Sequence, residues 1–372
     1  MIYIFVFLLS AICVSISEKY YKKDKRLGLF FSLFAVFVVA FVAGARDFTI
    51  GTDTLGYGNI IYNFAVTYSN IGEFYTHTAI WGEPGYLLLN FIIARFTASP
   101  NFYYFILGFL TYGMILLGLW KYKKYGFDLT LAWVSYLFLF YSDTLNAMRQ
   151  MLACSIVFFS FSYFLEKKYS KYTVLMVAAF SCHKSAILGI IIPLIYFMLQ
   201  KKNNKFVRML IVIGTVGIAY FYEYITQSLI NIGLLDAQRY TQYLLKGVPF
   251  DINALILRIP FLIFIYLWYK KYRGKSKEES LYFDTILMLL FVDLIFSQMR
   301  SLVVWLYRLT LYFGVYRCIG YARLIYVQKN KYNKWIMRCM LLAYLIIVFV
   351  YQVIYQGNNE IYPYKSILLD IK

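Results

Sequence analysis

The stretch "KKDKRLGLFFSLFAVFVVAFVAGARD" (22–47) decides what kind of protein this is. Lys22, Lys23, Lys25 and Arg26 crowd its start, an apolar run follows, and Arg46 and Asp47 close it. About 20 apolar residues in a helix span the hydrocarbon core of a bilayer, and similar runs recur along all 372 residues, separated by short polar breaks. The chain is 62% apolar, 21% aromatic and only 15% charged, more apolar surface than a soluble domain of this length can hide. A membrane β-barrel would need alternating strands of roughly ten residues, and the sequence holds no such series. Backbone groups in lipid must be satisfied within the chain, which leaves helices. The expected fold is all-α: a polytopic integral membrane protein with about 12–14 transmembrane or re-entrant helices, forming a single transmembrane domain over 1–372.

The net charge of +19 does not point to nucleic acid, because of where the charge lies. Basic residues sit in short breaks: "EKYYKKDKR" (18–26), "KYKK" (121–124), "EKKYSK" (166–171), "QKKNNK" (200–205), "KKYRGKSKEE" (270–279) and "QKNKYNK" (328–334). This is the positive-inside pattern, which makes those breaks cytoplasmic and lipid headgroups their anionic neighbours. Counted with their helix ends (18–26, 121–128, 166–171, 201–208, 270–284, 317–338), the breaks hold 26 of the 37 Lys and Arg residues, whereas the external segments hold 8. The opposite bias holds for the acids, 10 of 18 of which fall outside.

Threaded on this basis, helices cover about 2–17 and 28–45, and an external segment occupies 46–82, with a surface helix expected in "TLGYGNIIYNFAVTYSN" (54–70). Residues 83–98 are expected to be re-entrant, since 83–120 must make one net crossing before "KYKK". Helices follow near 129–142 and 150–165. Residues 172–199 form two short legs with "SCHKS" (181–185) at the outer tip. Helices near 206–222 and 253–270 flank a second external segment, 223–252, and the last three lie near 282–298, 301–319 and 335–355. The N-terminal run lacks a basic lead-in and reads as a retained first helix.

No metal or disulfide chemistry is expected. The five cysteines are scattered without a CxxC pair, and there are two histidines. The unusual polar residues instead gather on the outer side: Arg46, Asp47, Asp53, Glu83, Asp143, Arg149, His183, Lys184, Arg239 and Arg300, with Arg258 and Arg308 within the apolar runs. Charges in a bilayer cost about 2.5–3.5 kcal/mol each on insertion scales, which makes them functional candidates by default. Arginine binds phosphate oxygens in a bidentate manner and stays charged, so arginines at an outer rim could hold a pyrophosphate whose lipid tail lies in the bilayer. Gly51, Gly56 and Gly58 match neither a dinucleotide fingerprint nor a P-loop and read as turn-makers around Asp53. "WGEPGY" (81–86) reads as a helix start, with Glu83 before Pro84.

The segments "RDFTIGTDTLGY" (46–57), "EPGYLLLNFI" (83–92), "NAMRQMLACSI" (146–156), "FSCHKSAILGIIIPL" (180–194) and "QRYTQYL" (238–244), in this order, resemble the EpsG-like branch of bacterial polysaccharide polymerases, related to the Wzy-type O-antigen polymerases. Cys182 departs from the bulkier apolar residue expected before His183. The resemblance implies a glycosyltransferase of the multi-helix, lipid-donor architecture (GT-C-like), working on the outer face of the bacterial inner membrane. Its substrate would be an undecaprenyl-pyrophosphate-linked oligosaccharide, for O-antigen, capsule or exopolysaccharide, with a flippase and a chain-length regulator as partners and no metal or other cofactor. Arg149, Arg239 and Arg258, supported by Arg46, Arg308, Tyr240 and Lys184, would bind the pyrophosphate and substrate. His183, or else Asp53 or Glu83, would take the acceptor proton. A flippase for the same lipids, a glycan ligase and a membrane acyltransferase are the competing classes. A transporter would show pseudo-symmetric halves and midplane charges, whereas here there are no such halves and the charges gather at one face.

Overall fold

The computed structural model describes residues 2–201, 205–232, 252–301 and 306–371. Among them there is no strand, only an isolated bridge between Ser366 and Ile371. Seven helices are long and apolar enough to cross a membrane: Ile2–Tyr20, Lys25–Ala45, Pro100–Tyr125, Met148–Leu165, Lys184–Lys201, Lys277–Ser297 and Lys331–Tyr355. Pro84–Ala94 and Ile252–Leu267 are shorter apolar helices. The chain is an all-α, multi-pass membrane protein.

In chain order the helices used below are α1 (Ile2–Tyr20), α2 (Lys25–Ala45), α3 (Asn59–Thr67), α4 (Ile71–Thr78), α5 (Pro84–Ala94), α6 (Pro100–Tyr122), α7 (Leu129–Asn146), α8 (Met148–Leu165), α9 (Tyr169–Cys182), α10 (Ile191–Lys201), α11 (Lys205–Tyr220), α12 (Tyr222–Asn231), α13 (Ile259–Leu267), α14 (Lys277–Ser297), α15 (Arg317–Tyr326) and α16 (Lys331–Phe349). They form two compact units, Met1–Gly189 with Gln328–Lys372, and Ile190–Val327.

In the first unit α7 is central. All of its residues except Thr130, Ser142 and Asp143 are buried, as expected of a helix apolar on every side. Its polar groups are satisfied by neighbours: Trp133 Nε1 donates to Ser10 Oγ on α1 (2.8 Å), and the Tyr141 hydroxyl donates to the Val39 carbonyl on α2 (3.0 Å). Edge-to-face rings of Tyr3, Phe7, Phe138, Tyr141 and Phe349 join α1, α7 and α16. The outward faces of α1 and α2 keep Phe5, Leu8, Ile12, Phe30, Leu33 and Phe37 exposed, a surface suited to lipid.

The two ends of this unit differ in chemistry. At one end Lys123 pairs with Glu18 (2.7 Å), Lys121 with Glu166 (2.6 Å) and Arg338 with Asp128 (2.8 Å). Burial alone would raise the Glu166 carboxyl, but the bonds from Lys121 and Lys168 prevail and bring it down to about 2. At the other end lie the last turns of α2, α7 and α9 and the first turns of α5 and α8. The alternation of basic breaks read from the sequence thus corresponds to two distinct ends. α5 has 11 residues and rises about 16 Å, about half the length of a full crossing.

In the second unit the central helix is α14. It carries four acids, and three of them meet arginine: Glu279 with Arg323 (2.5 Å), Asp284 with Arg208 (3.2 Å) and Arg273 (3.1 Å), and Asp293 with Arg258 (2.8 Å) and Arg317 (3.3 Å). Two expected continuous helices are interrupted here. The run 253–270 breaks at Arg258, because Pro260 has no N–H to bond back to the preceding turn. The run 301–319 is, in its described part, a tight turn at Leu306–Thr310, a helical turn at Leu311–Gly314 and then α15. This break brings Gly314 so close to Asp293 that a Cβ there would lie 2.8 Å from Oδ1.

Candidate functional site

The candidate site lies at the less basic end of the first unit, where five segments converge. Residues 46–57 leave α2. Arg46 is 2% exposed, and its guanidinium lies 4.5 Å from the centre of the Tyr104 ring. It donates to the Ala43 carbonyl (2.6 Å), the Leu145 carbonyl (3.2 Å) and Thr54 Oγ1 (3.2 Å). Ala43 and Leu145 sit in the last turns of α2 and α7, whose carbonyls lack helical partners and form negative dipole ends. Arg46 therefore ties two helix C-termini together with a charge that both favour. Asn101 completes the end of α2 by donating to the Gly44 and Arg46 carbonyls.

Beyond this anchor the chain turns at Gly51, whose φ of +82° suits glycine. Gly58, expected as another turn-maker, is instead helical and packs beneath the Tyr104 hydroxyl. Asp53 follows the turn. Its N–H donates to Asn146 Oδ1 (3.0 Å), and its Oδ2 accepts from the Tyr57 hydroxyl (3.1 Å).

Arg149 stands in the first turn of α8, where the helix dipole disfavours a cation. Glu83 offsets this: Arg149 Nη1 donates to Glu83 Oε2 and to the Trp81 carbonyl, both at 2.8 Å, and both side chains are nearly nine-tenths buried. The guanidinium centre lies 4.3 Å from the Tyr57 ring centre and 5.7 Å from that of Tyr86. Burial raises the Tyr57 phenol despite the neighbouring Arg149 charge, so this ring stays neutral.

Glu83 stands at the start of α5 just before Pro84, and its other oxygen accepts from the Lys184 N–H at 3.4 Å. Gly85 makes this possible, since a Cβ there would lie 2.2 Å from Ser181 Oγ and 2.9 Å from the Ser181 carbonyl carbon. We expect Gly85→Ala to push α5 off α9 and cost about 1–3 kcal/mol, read as a lower unfolding temperature of the detergent-purified protein. An unchanged temperature would mean the two helices are free to separate. His183 ends α9, and its Nδ1 accepts from the Ser185 N–H (3.2 Å) and sits 2.7 Å from Ser185 Oγ. In the neutral ring the proton is then on Nε2.

The geometry therefore gathers Asp53, Glu83, Arg149, His183 and the Lys184 backbone around one end of the first unit. Arg46 lies beneath them with its guanidinium enclosed. In the second unit Arg258 grips Asp293 through Nε (2.8 Å) and Nη2 (3.2 Å), and Arg308 is half-buried in the turn at Leu306–Thr310. Arg239 and Tyr240 fall outside the described residues.

The model of the EpsG family matches residues 29–366. The chain belongs to the EpsG family. No curated protein and no solved structure matches it. Membership gives this EpsG-family chain a polysaccharide-polymerase-like role.

Several residues that shape the EpsG-family site did not stand out in the sequence. Tyr57 and Trp81 were hidden among 39 tyrosines and 6 tryptophans. Asn146 and Asn359 meet across 213 positions, Asn146 Nδ2 donating to Asn359 Oδ1 (2.9 Å), and no local pattern announces such a pair. Asp293 did have a signal: a lone carboxylate in the apolar run "LMLLFVDLIF" (287–296), which intramembrane charge rules mark as a candidate.

Proposed function

We propose that this EpsG-family protein polymerises undecaprenyl-pyrophosphate-linked oligosaccharide repeats at the outer face of the bacterial inner membrane. The growing glycan is transferred from its lipid pyrophosphate to a sugar hydroxyl of the incoming repeat. The anomeric C–O bond to phosphate breaks, the acceptor oxygen forms the new glycosidic bond, and undecaprenyl pyrophosphate leaves with the electron pair. The acceptor proton passes to a base. His183 is the first choice, receiving the proton at Nδ1, the ring nitrogen that the Ser185 hydroxyl faces, with Asp53 and Glu83 as neighbours able to serve. The reaction uses no nucleotide sugar and no metal.

The observation that carries this reading is Arg149: a buried guanidinium at a helix N-terminus, held by Glu83 and the Trp81 carbonyl, lying on Tyr57 beside Asp53. A fixed cation and a helix N-terminus both favour the charge that develops on the departing pyrophosphate. The aromatic faces suit the apolar faces of sugar rings, and Asp53 suits their hydroxyls. Lys184 and the arginines Arg239, Arg258 and Arg308, with Tyr240, are further proposed contributors to pyrophosphate and substrate binding, while the enclosed Arg46 supports the site from beneath. The proposed partners are a flippase that supplies repeats and a chain-length regulator.

Deletion of the gene, followed by gel analysis of surface glycan, tests the reading. We expect single repeats on the acceptor in place of a ladder. Loss of all repeats, with lipid-linked repeats trapped inside, would identify a flippase, and an unchanged ladder would overturn the proposal.

A further inference from the structure

The C-terminal segment after the last span is polar, "QGNNEIYPYKS" (356–366), and does not extend away from the fold. It returns over the end of α2. The Tyr364 hydroxyl donates to the Val42 carbonyl (3.0 Å), the Ser366 hydroxyl donates to the Ala45 carbonyl, and the Lys365 carbonyl accepts from the Asp47 N–H (2.8 Å). The Glu360 carbonyl accepts from the Gly51 N–H (3.3 Å). Its bend is unusual: Asn359 (φ 64°) and Glu360 (φ 51°) are consecutive non-glycine residues in the left-handed region. Such conformations are costly for residues with a side chain and persist only where the surroundings impose them. Asparagine is among the residues that tolerate them best.

The bend aims Asn359 at the site. Its Nδ2 donates to Asp143 Oδ1 (3.0 Å) and Ser142 Oγ (3.3 Å), and its Oδ1 accepts from Asn146 Nδ2 (2.9 Å). Asn146 Oδ1 in turn accepts from the Asp53 N–H (3.0 Å) and the Thr52 hydroxyl (2.9 Å). Asp53 accepts from Tyr57, whose ring lies under Arg149. An unbroken series of contacts thus runs from the tail to the proposed catalytic arginine.

We propose that the C-terminal segment 357–366 is a working part of the site, with Asn359 as a positioning residue that orients Asn146 and, through it, the Asp53 loop and the Tyr57 ring against Arg149. The proposal rests on the polymerase reading. Asn359 both donates and accepts, so it fixes which way the Asn146 amide faces, and only one orientation offers Oδ1 to the Asp53 N–H. The register of residues 52–57 then depends on a side chain 213 positions away from Asn146.

The test uses the full-length protein in the deletion strain, with repeat addition followed as glycan ladder growth and folding as the unfolding temperature of the purified protein. Asn359→Gly keeps the left-handed backbone without steric cost and removes only the amide. It should slow repeat addition about tenfold, as misplacement of reacting groups does, at an unchanged unfolding temperature. The double variant N146A/N359G should be no slower than N146A alone, because both cut the same series. A merely structural tail would move the unfolding temperature without this non-additivity. A normal ladder in N359G, or independent multiplying effects of N146A and N359G, would overturn the proposal. If R149A abolishes the ladder while N359G leaves it normal, only the role of the tail falls. A normal ladder in R149A would remove the role of Arg149 and this proposal with it, whereas the polymerase reading itself falls only if deletion of the gene leaves the ladder unchanged.

Discussion

Replacing Arg149 with lysine should slow repeat addition about a hundredfold, and replacing it with alanine by as much as a thousandfold, the range seen when one charge-stabilising donor is removed from an active site. The lysine variant is the more telling. It keeps the positive charge but replaces a planar, multi-donor group with a point charge on a flexible stem. The Arg149 guanidinium is held on the Tyr57 ring while Nη1 bonds both Glu83 and the Trp81 carbonyl. A lysine ammonium can answer Glu83 but cannot keep that plane over Tyr57 while offering parallel donors to a phosphate. The alanine variant also leaves Glu83 nearly buried without its partner, so its folding must be measured alongside its rate. A lysine variant that builds a normal ladder would show that charge alone suffices. His183→Ala is the companion measurement. A loss of about a hundredfold is expected for a missing general base, and a full-length ladder would remove the imidazole from the mechanism and pass the proton to Asp53 or Glu83.

Asp293→Asn should destabilise the protein by about 3–5 kcal/mol, the cost of breaking a buried ion pair from one side. Asp293 is 1% exposed and answers two arginines, Arg258 and Arg317. The amide fills the same space but removes the negative charge that both guanidinium groups share. Replacing the arginines as well (R258M/R317M/D293L) should recover most of the loss, because an apolar cluster of similar volume carries no desolvation penalty. Heat-induced loss of monodisperse protein in detergent reads both effects. If D293N is as stable as the wild type, the carboxylate does not hold this cluster together.

How much of this was legible in the sequence follows from the range of the forces involved. Helix positions in the first half were readable because apolar run length and basic breaks are local properties, and the structure returns α1, α2 and α6–α9 close to the expected spans. The breaks in the second half were less readable. Pro260 was in plain view, whereas the break before Arg317 has no such local marker and shows only in the close approach of Gly314 to Asp293 on another helix. Among the site residues, Asp53, Glu83, Arg149 and His183 could be picked out as charged or titratable groups next to apolar runs. Their mutual arrangement could not, since a one-letter string carries no distance between positions 83 and 149. Arg46 shows the limit most clearly: an arginine at the end of a span reads as a rim residue, yet the fold encloses it between the C-termini of α2 and α7.

The sequence by itself determined that this chain is a bundle of membrane helices with two chemically different ends, because hydropathy and charge bias act residue by residue. It also carried the family, in ordered segments such as 46–57 and 83–92. Only the tertiary structure decided which charges are used up in pairs and which converge. That outcome depends on the close approach of α5 to α9 at Gly85, on the compensation of helix ends by Arg46, and on a tail that folds back to place Asn359 beside Asn146. These are contacts between parts of the chain far apart in sequence, whose energies exist only once the helices have met.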